Sequence, residues 1–260
     1  MLLRRVTEHV KTQNWFAVGI DLVIVVVGVF IGIQVSNWND DRVTRKKADV
    51  FTERLAQDLR KEAWGYQSVI SYSRQTNANQ RRVLQALAGE RELSDEQFLI
   101  SAYRATQFRE HNRHRATYDE LVSTGTIGLI TDPVLREAAV GMFTTGFLEE
   151  FAERIRDSEY RQLFRETVPA PVQEALLARC GDRYPTELDY ESLDVTLDYP
   201  CSLELPEEAI RLAARTLRDA PRLVPALRVR FADNQTALTD LQDGNLVVVE
   251  SLKTIRERQP

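Results

Sequence analysis

The chain has 260 residues, of which 43% are hydrophobic and 28% charged, with a formal net charge of −5. This composition argues against global disorder, and a mildly acidic chain without a basic stripe is a poor nucleic-acid binder. With only Gly 11 and Pro 9, breakers are sparse, which favours long helices over a many-turned β-fold.

In chain order, residues 1–15 form a short tail, expected in the cytoplasm, and residues 16–36 a predicted transmembrane helix. Phe16 to Val35 reads FAVGIDLVIVVVGVFIGIQV, with no polar side chain from Leu22 to Ile33. A bilayer core needs roughly 20 mostly apolar residues as helix. The β-branched content weakens helix propensity in water, but in lipid the backbone must satisfy its own hydrogen bonds, so a lone apolar segment spans as helix. Trp15 and Trp38 flank the run, where amphipathic rings favour the two interfaces. The run ends Gln34, Val35, Ser36, Asn37 without the small-residue pattern of a signal-peptidase site, and a soluble core helix is rarely apolar on every face.

Asp21 lies about one turn inside the span, within reach of the headgroups. At 100° per residue Asp21, Gly28, Gly32 and Val35 share a stripe, and the Gly28-x-x-x-Gly32 spacing allows two helices to approach closely. Two readings stand side by side: a packing face for self-association or for another membrane protein, and ordinary small residues of a membrane helix. Arg4, Arg5 and Lys11 before the span nearly balance Arg42, Arg45, Lys46 and Lys47 after it. The shortness of the basic tail, with the cysteines discussed below, tilts the expectation toward an inside N-terminus and an outside domain of residues 37–260.

Beyond the span, Val43, Val50, Phe51, Leu55, Leu59, Ala63, Tyr66 and Ile70 recur at three and four, predicting an amphipathic helix to about Ala88 that Gly89 ends. Ser94 with Gln97 reads as a capping box for a helix through about Arg109. A helix from Arg113 to Thr124 follows and stops at Gly125. Asp132-Pro133 is the clearest start signal, an acid at the N-cap and proline at the first helical position, opening a helix expected to run to about Glu166. Pro169 and Pro171 break it, and Pro171 to Arg179 forms a short helix. Pro206 with Glu207 and Glu208 opens another, to about Arg218. Pro221 to Arg258 is again amphipathic, through Val224, Leu227, Phe231, Leu238, Leu241, Val248 and Leu252, with Gly244 a point of interruption. The expected fold is all-α: one transmembrane helix, then an up-and-down helical bundle whose long first and last helices are natural antiparallel partners.

Cys180 and Cys201 close an irregular segment, and an even count at the two ends of one loop suggests a disulfide. Closing about 20 residues contributes about 3 kcal/mol in the chain-entropy model. Such a bond needs an oxidising compartment, which for a bacterial-looking anchor is the periplasm, facing the inner membrane. With no CxxC and no histidine nearby, the pair is a poor zinc site.

Two stretches carry a resemblance. QVSNWND (Gln34 to Asp40), set after a Val/Ile/Gly anchor, and TYDELVSTGTIGLITDPVLREAA (Thr117 to Ala139) are similar to recurring blocks of a broad family of bacterial single-pass membrane proteins known as a domain of unknown function. The second block reads as a helix, a Ser/Thr-Gly turn, a short apolar strand-like piece and a capped helix. The resemblance covers the anchor and about half the domain. It implies an anchor and a helical fold, hands over no catalytic residues, and does not include the cysteine loop.

His111 and His114, three apart, would share a helix face with Glu110, Asp119 and Glu120 nearby, but no third ligand has metal-site spacing and Arg109, Arg113 and Arg115 would repel a cation. Ser123 to Gly128 lacks the GxxxxGK[ST] pattern of a phosphate loop and reads as a helix C-cap. No cofactor or metal is called for. The expectation is a non-enzymatic membrane-anchored periplasmic domain, serving as interaction, scaffold, sensor or accessory subunit of an envelope complex. Its partners would be the lipid bilayer and a second copy or another membrane protein. The alternative is a small-ligand receptor or enzyme with an inter-helix pocket using residues such as His111, Asp119 and Glu120.

Overall fold

The computed structural model of the protein describes residues 15–257, and the chain divides into two compact units, Met1–Thr52 and Glu53–Pro260. Helices joined by turns make up both, with no strand among the described residues, so the fold is all-α. The first helix, α1 (Trp15–Leu87), contributes to each unit.

In the first unit α1 presents bare apolar side chains: Leu22 is 64% exposed, Val26 58% and Phe30 60%. Its 18-residue apolar window has a mean hydropathy of 2.5, and none of it is buried, so the segment is long and apolar enough to cross a membrane. Asp21 and Val35 are exposed, and Gly28 and Gly32 face open space where a side chain would stand. The stripe is uncovered among the described residues of this unit. Trp38 is exposed as well; the Trp15 side chain, with Arg4, Arg5 and Lys11, lies outside the described residues.

In the second unit α1 runs to Leu87 and Gly89 ends it in the left-handed conformation at φ +76, which glycine adopts without strain. The predicted stripe is buried at Leu55, Leu59, Ala63, Tyr66 and Ile70, whereas Val43 and Val50, in the first unit, are exposed. Ser94 and Gln97 form the reciprocal capping box of α2 (Asp95–Ala105). That helix stops four residues short of Arg109, and 107–115 is irregular. Helix α3 (Ala116–Ser123) ends before Gly125, at φ +66, and the strand-like piece that follows is a single 3-10 turn, Ile127–Leu129.

The Asp132 carboxylate accepts from the Val134 and Leu135 amides at 2.9 and 3.3 Å and so starts α4 (Pro133–Thr144). The long helix expected to reach Glu166 is instead three: α4, α5 (Phe147–Arg156) and α6 (Glu159–Thr167). The Thr144 and Thr145 hydroxyls turn back onto the Val140 and Gly141 carbonyls just before Gly146, and Ser158 begins the next segment. Hydroxyls that compete for backbone groups in this way favour helix ends. Helices α7 (Ala170–Cys180), α8 (Glu207–Arg218) and α9 (Leu223–Thr239) follow, then a π-turn at Asp240–Gly244 and α10 (Leu246–Glu257). The tail, read from sequence as amphipathic from Pro221 to Arg258, is interrupted by the π-turn Asp240–Gly244.

One core gathers α2, α6, α7, α8 and α9 around Phe98, Leu99, Phe164, Leu176, Leu217 and Leu227, and α4 packs on α10. Each fully buried Leu or Phe contributes about 1.5–3 kcal/mol by leaving water. Two bonds tie α1 to α9 and to the π-turn after it, in antiparallel order along the chain. Asn234 donates to the Ser73 carbonyl at 3.1 Å and the Tyr66 hydroxyl to the Leu241 carbonyl.

The cysteines are bonded, Cys180 to Cys201, with Cα atoms 5.6 Å apart. Their loop lies along α1, and this explains a face of α1 that sequence pattern leaves obscure. Ser71 and Gln75 are buried. Gln75 donates to the Leu193 carbonyl at 2.9 Å and accepts from the Leu197 and Asp198 amides at 2.9 and 3.0 Å, while Ser71 donates to the Leu193 carbonyl at 3.1 Å. An irregular loop cannot satisfy its own backbone, so α1 supplies side-chain partners.

Candidate functional site

The second unit holds a junction where α1, the irregular segment 107–115 and the cysteine loop meet. At its base is Glu62, a fully buried carboxylate on the apolar stripe of α1. It faces His111 Nε2 at 3.2 Å and Arg113 Nε at 3.0 Å, and also accepts from the His114 amide. Burial alone would raise its pKa. The hydrogen bond and charge of His111, the His114 amide and the Arg113 charge outweigh burial together and hold it below the ordinary carboxylate value. Arg113 also donates to the Met142 carbonyl at 2.5 Å and pairs with Glu149 at 2.8 Å, tying α4 and α5 to the junction.

Gly65, one turn along α1, makes room for the imidazole. A Cβ there would stand 1.9 Å from His111 Cε1, closer than any real contact. The ring is therefore wedged between a glycine notch and a carboxylate, which fixes its position.

Beside this junction opens a cleft of about 600 Å³, lined among others by Trp64, Arg109, His111, His114, Asp182 and Tyr184. Trp64 donates its indole N–H to the Asp189 carbonyl at 3.1 Å. His114 Nε2 faces Glu187 at 3.3 Å. Arg109 donates to Ser68 Oγ and to the Arg183 carbonyl, both at 3.1 Å, with its guanidinium 4.5 Å from the Tyr72 ring centroid. The Tyr72 hydroxyl donates to Asp182 at 2.5 Å. Burial raises the Asp182 pKa, a shift only partly offset by the Tyr72 hydrogen bond and the Arg109 and Arg161 charges; burial likewise pushes Tyr72 well above its usual range. Two carboxylates in neighbouring places are thus moved in opposite directions by their surroundings.

Between its ends the segment 107–115 is not helical, and distant side chains bond the chain there and at Thr106. Arg230, almost wholly buried, donates to the Gln107 carbonyl at 2.9 Å and to the Ile155 carbonyl at 2.7 Å. Burial lowers its pKa to about 10. Arg161 donates to the Thr106 carbonyl at 3.0 Å. Arg104, also buried, donates to the Tyr199 carbonyl at 2.8 Å beside the disulfide.

Of the residues singled out by sequence, His111 and His114 lie close, with ring centroids 5.8 Å apart. They sit on an irregular segment rather than one helix face, and each Nε2 faces a different carboxylate. Asp119 and Glu120 do not join them: Asp119 pairs with Arg115 at 2.9 Å and Glu120 with Arg54 at 2.8 Å, both on the surface. Glu110 pairs with Arg156, also on the surface. Ser123 to Gly128 is a helix end and turn.

No family model, characterised protein or solved structure matches this chain. The site is therefore interpreted from its own geometry. Glu62, Gly65, Tyr72 and Asp182 are its unforeseen members. Glu62 alone left a signal in the sequence, a carboxylate falling on the stripe between Leu59 and Tyr66. As an arrangement, the cleft offers aromatic walls, a guanidinium and mixed hydrogen-bonding groups, which suits binding a small polar molecule.

Proposed function

We propose that the chain is a non-enzymatic, membrane-anchored helical domain on the periplasmic side of a bacterial inner membrane, binding a partner as an interaction, scaffold, sensor or accessory subunit. The observation that carries it is the wholly unburied apolar window of α1, with its mean hydropathy of 2.5. Exposed to water, such a patch would drive aggregation; in lipid it costs nothing. The Cys180–Cys201 bond adds support for an oxidising side, and the anchor junction and central block resemble a family of bacterial single-pass proteins. The uncovered stripe of Asp21, Gly28, Gly32 and Val35 is the packing face for a second copy or another membrane protein.

Protease added to intact spheroplasts tests the placement: residues 37–260 are expected to be digested without lysis, and protection until lysis would reverse the orientation. Native mass spectrometry of the detergent-extracted chain is expected to find a defined oligomer or a co-purifying partner; a clean monomer would count against the binding role.

The cleft supports a second reading, a small-ligand receptor, because it sets Trp64 and Tyr184 beside His111, His114 and Asp182. A thermal-shift screen of small polar metabolites is expected to give hits that Tyr184→Ala weakens. Hits indifferent to that change would remove the cleft from consideration.

A further inference from the structure

A second cavity, of about 540 Å³, lies between the C-terminal part of α1, the turn after it and α9. Four arginines line it, Arg74, Arg81, Arg82 and Arg91, and its described lining contains no Asp or Glu. In a chain of net charge −5 this is a local reversal of sign. Arg82 is neutralised elsewhere, bidentate to Asp198 with Nη1 to Oδ1 at 2.7 Å. The other three form no ion pair among the described residues. Arg74 meets only the neutral side-chain oxygen of Gln242, once that amide is oriented by its neighbours, and Arg81 lies 5.7 Å from the Phe231 ring centroid.

A polar side chain in the lining is also left without a partner. Asn77 lines the cavity, is only 7% exposed, and its buried Nδ2 has no hydrogen-bond partner. A buried donor without a partner is destabilising, so it is seldom left so without a reason. Three guanidinium groups in one lining, with no ion pair among the described residues, call for an acceptor with negative charge.

We propose that this cavity binds a small polyanion bearing phosphate groups. Planar guanidinium forks match phosphate oxygens two at a time, and Asn77 borders the same wall. Arg82, braced by Asp198, acts as a positioning residue that holds the wall of the cavity. The site is separate from the His111 cleft and does not depend on the anchor.

The test is calorimetric titration of the full chain in an uncharged detergent with inorganic pyrophosphate, at fixed ionic strength, against sodium sulfate and sodium chloride. Saturable pyrophosphate binding is expected, with Arg81→Gln and Arg91→Gln each weakening it about tenfold or more. Asn77→Asp is expected to abolish binding by placing a carboxylate among the arginines, while raising the unliganded melting temperature because it satisfies them from within. Pyrophosphate no better than chloride, or unaltered binding in both arginine variants, would overturn the proposal. An Asn77→Asp chain that melts lower and still binds pyrophosphate would do the same. Repeating the titration in nanodiscs containing an anionic phospholipid separates two sources of the phosphate: competition with pyrophosphate indicates a lipid headgroup, and unchanged binding a soluble ligand.

Discussion

The two parts of α1 invert the usual rule of burial. From Leu22 to Ile33 it exposes Val, Ile and Phe; from Glu62 to Gln80 it buries Glu, Ser, Gln and Asn. The same regular backbone serves both, so helix formation decides neither. Each segment answers to its partner. A segment read as sitting in lipid needs no polar groups, because its backbone bonds are internal and its surroundings offer none. The other meets a disulfide-closed loop and the irregular segment 107–115, both rich in unsatisfied peptide groups, and must bring hydrogen-bonding side chains to them.

The comparison breaks most sharply at Glu62. Glu62→Ala leaves Arg113 and the His114 amide without their buried acceptor and is expected to lose about 3–5 kcal/mol of stability, read by urea unfolding in detergent. A loss under 1 kcal/mol would mean the cluster is not what closes the junction. Its pH dependence has a definite sign. The folded pKa lies below the ordinary value of 4.5, so the contribution is complete above about pH 4.5 and is lost as pH falls through the folded pKa. Wild type should therefore weaken faster than Glu62→Gln on acidification below pH 4.5.

Next in size is the loop. Reducing the disulfide, or replacing both cysteines by serine, is expected to cost about 3 kcal/mol and to loosen the segment that α1 serves. Hydrogen exchange at the Leu197 and Asp198 amides reports that loosening directly. Gln75→Leu should cost about 1–3 kcal/mol, since it strips those two amides of their acceptor. Gly65→Ala, which displaces the His111 ring, belongs to the same range of about 1–3 kcal/mol. The smallest effect sharpens the contrast: Val26→Ser, far out on the exposed stretch, should change unfolding of the second unit by less than about 0.5 kcal/mol.

These contrasts also mark what the sequence discloses. Asp132-Pro133, the Ser94–Gln97 box and Gly89 are legible because each acts on backbone groups within a few residues of itself. The apolar anchor is legible because composition alone defines it. The breaks at Gly146 and Ser158 were obscured by continuous apolar periodicity across them. The break expected between Arg109 and Arg113 widens to 107–115, because what holds that segment is Glu62 and Arg230, remote in sequence. For the same reason the cleft was half visible: His111 and His114 stand out as rare residues, while Tyr72 and Asp182 acquire meaning only when the loop is laid on α1.

The most direct measurement is extraction of membranes carrying the intact chain with alkaline carbonate, which strips peripheral proteins and leaves spanning helices in the pellet. If residues 16–36 are held in lipid, the chain stays in the pellet and leaves it only with detergent. A chain released by carbonate into the soluble fraction, monodisperse and without detergent, would contradict the anchor and the periplasmic placement built on it.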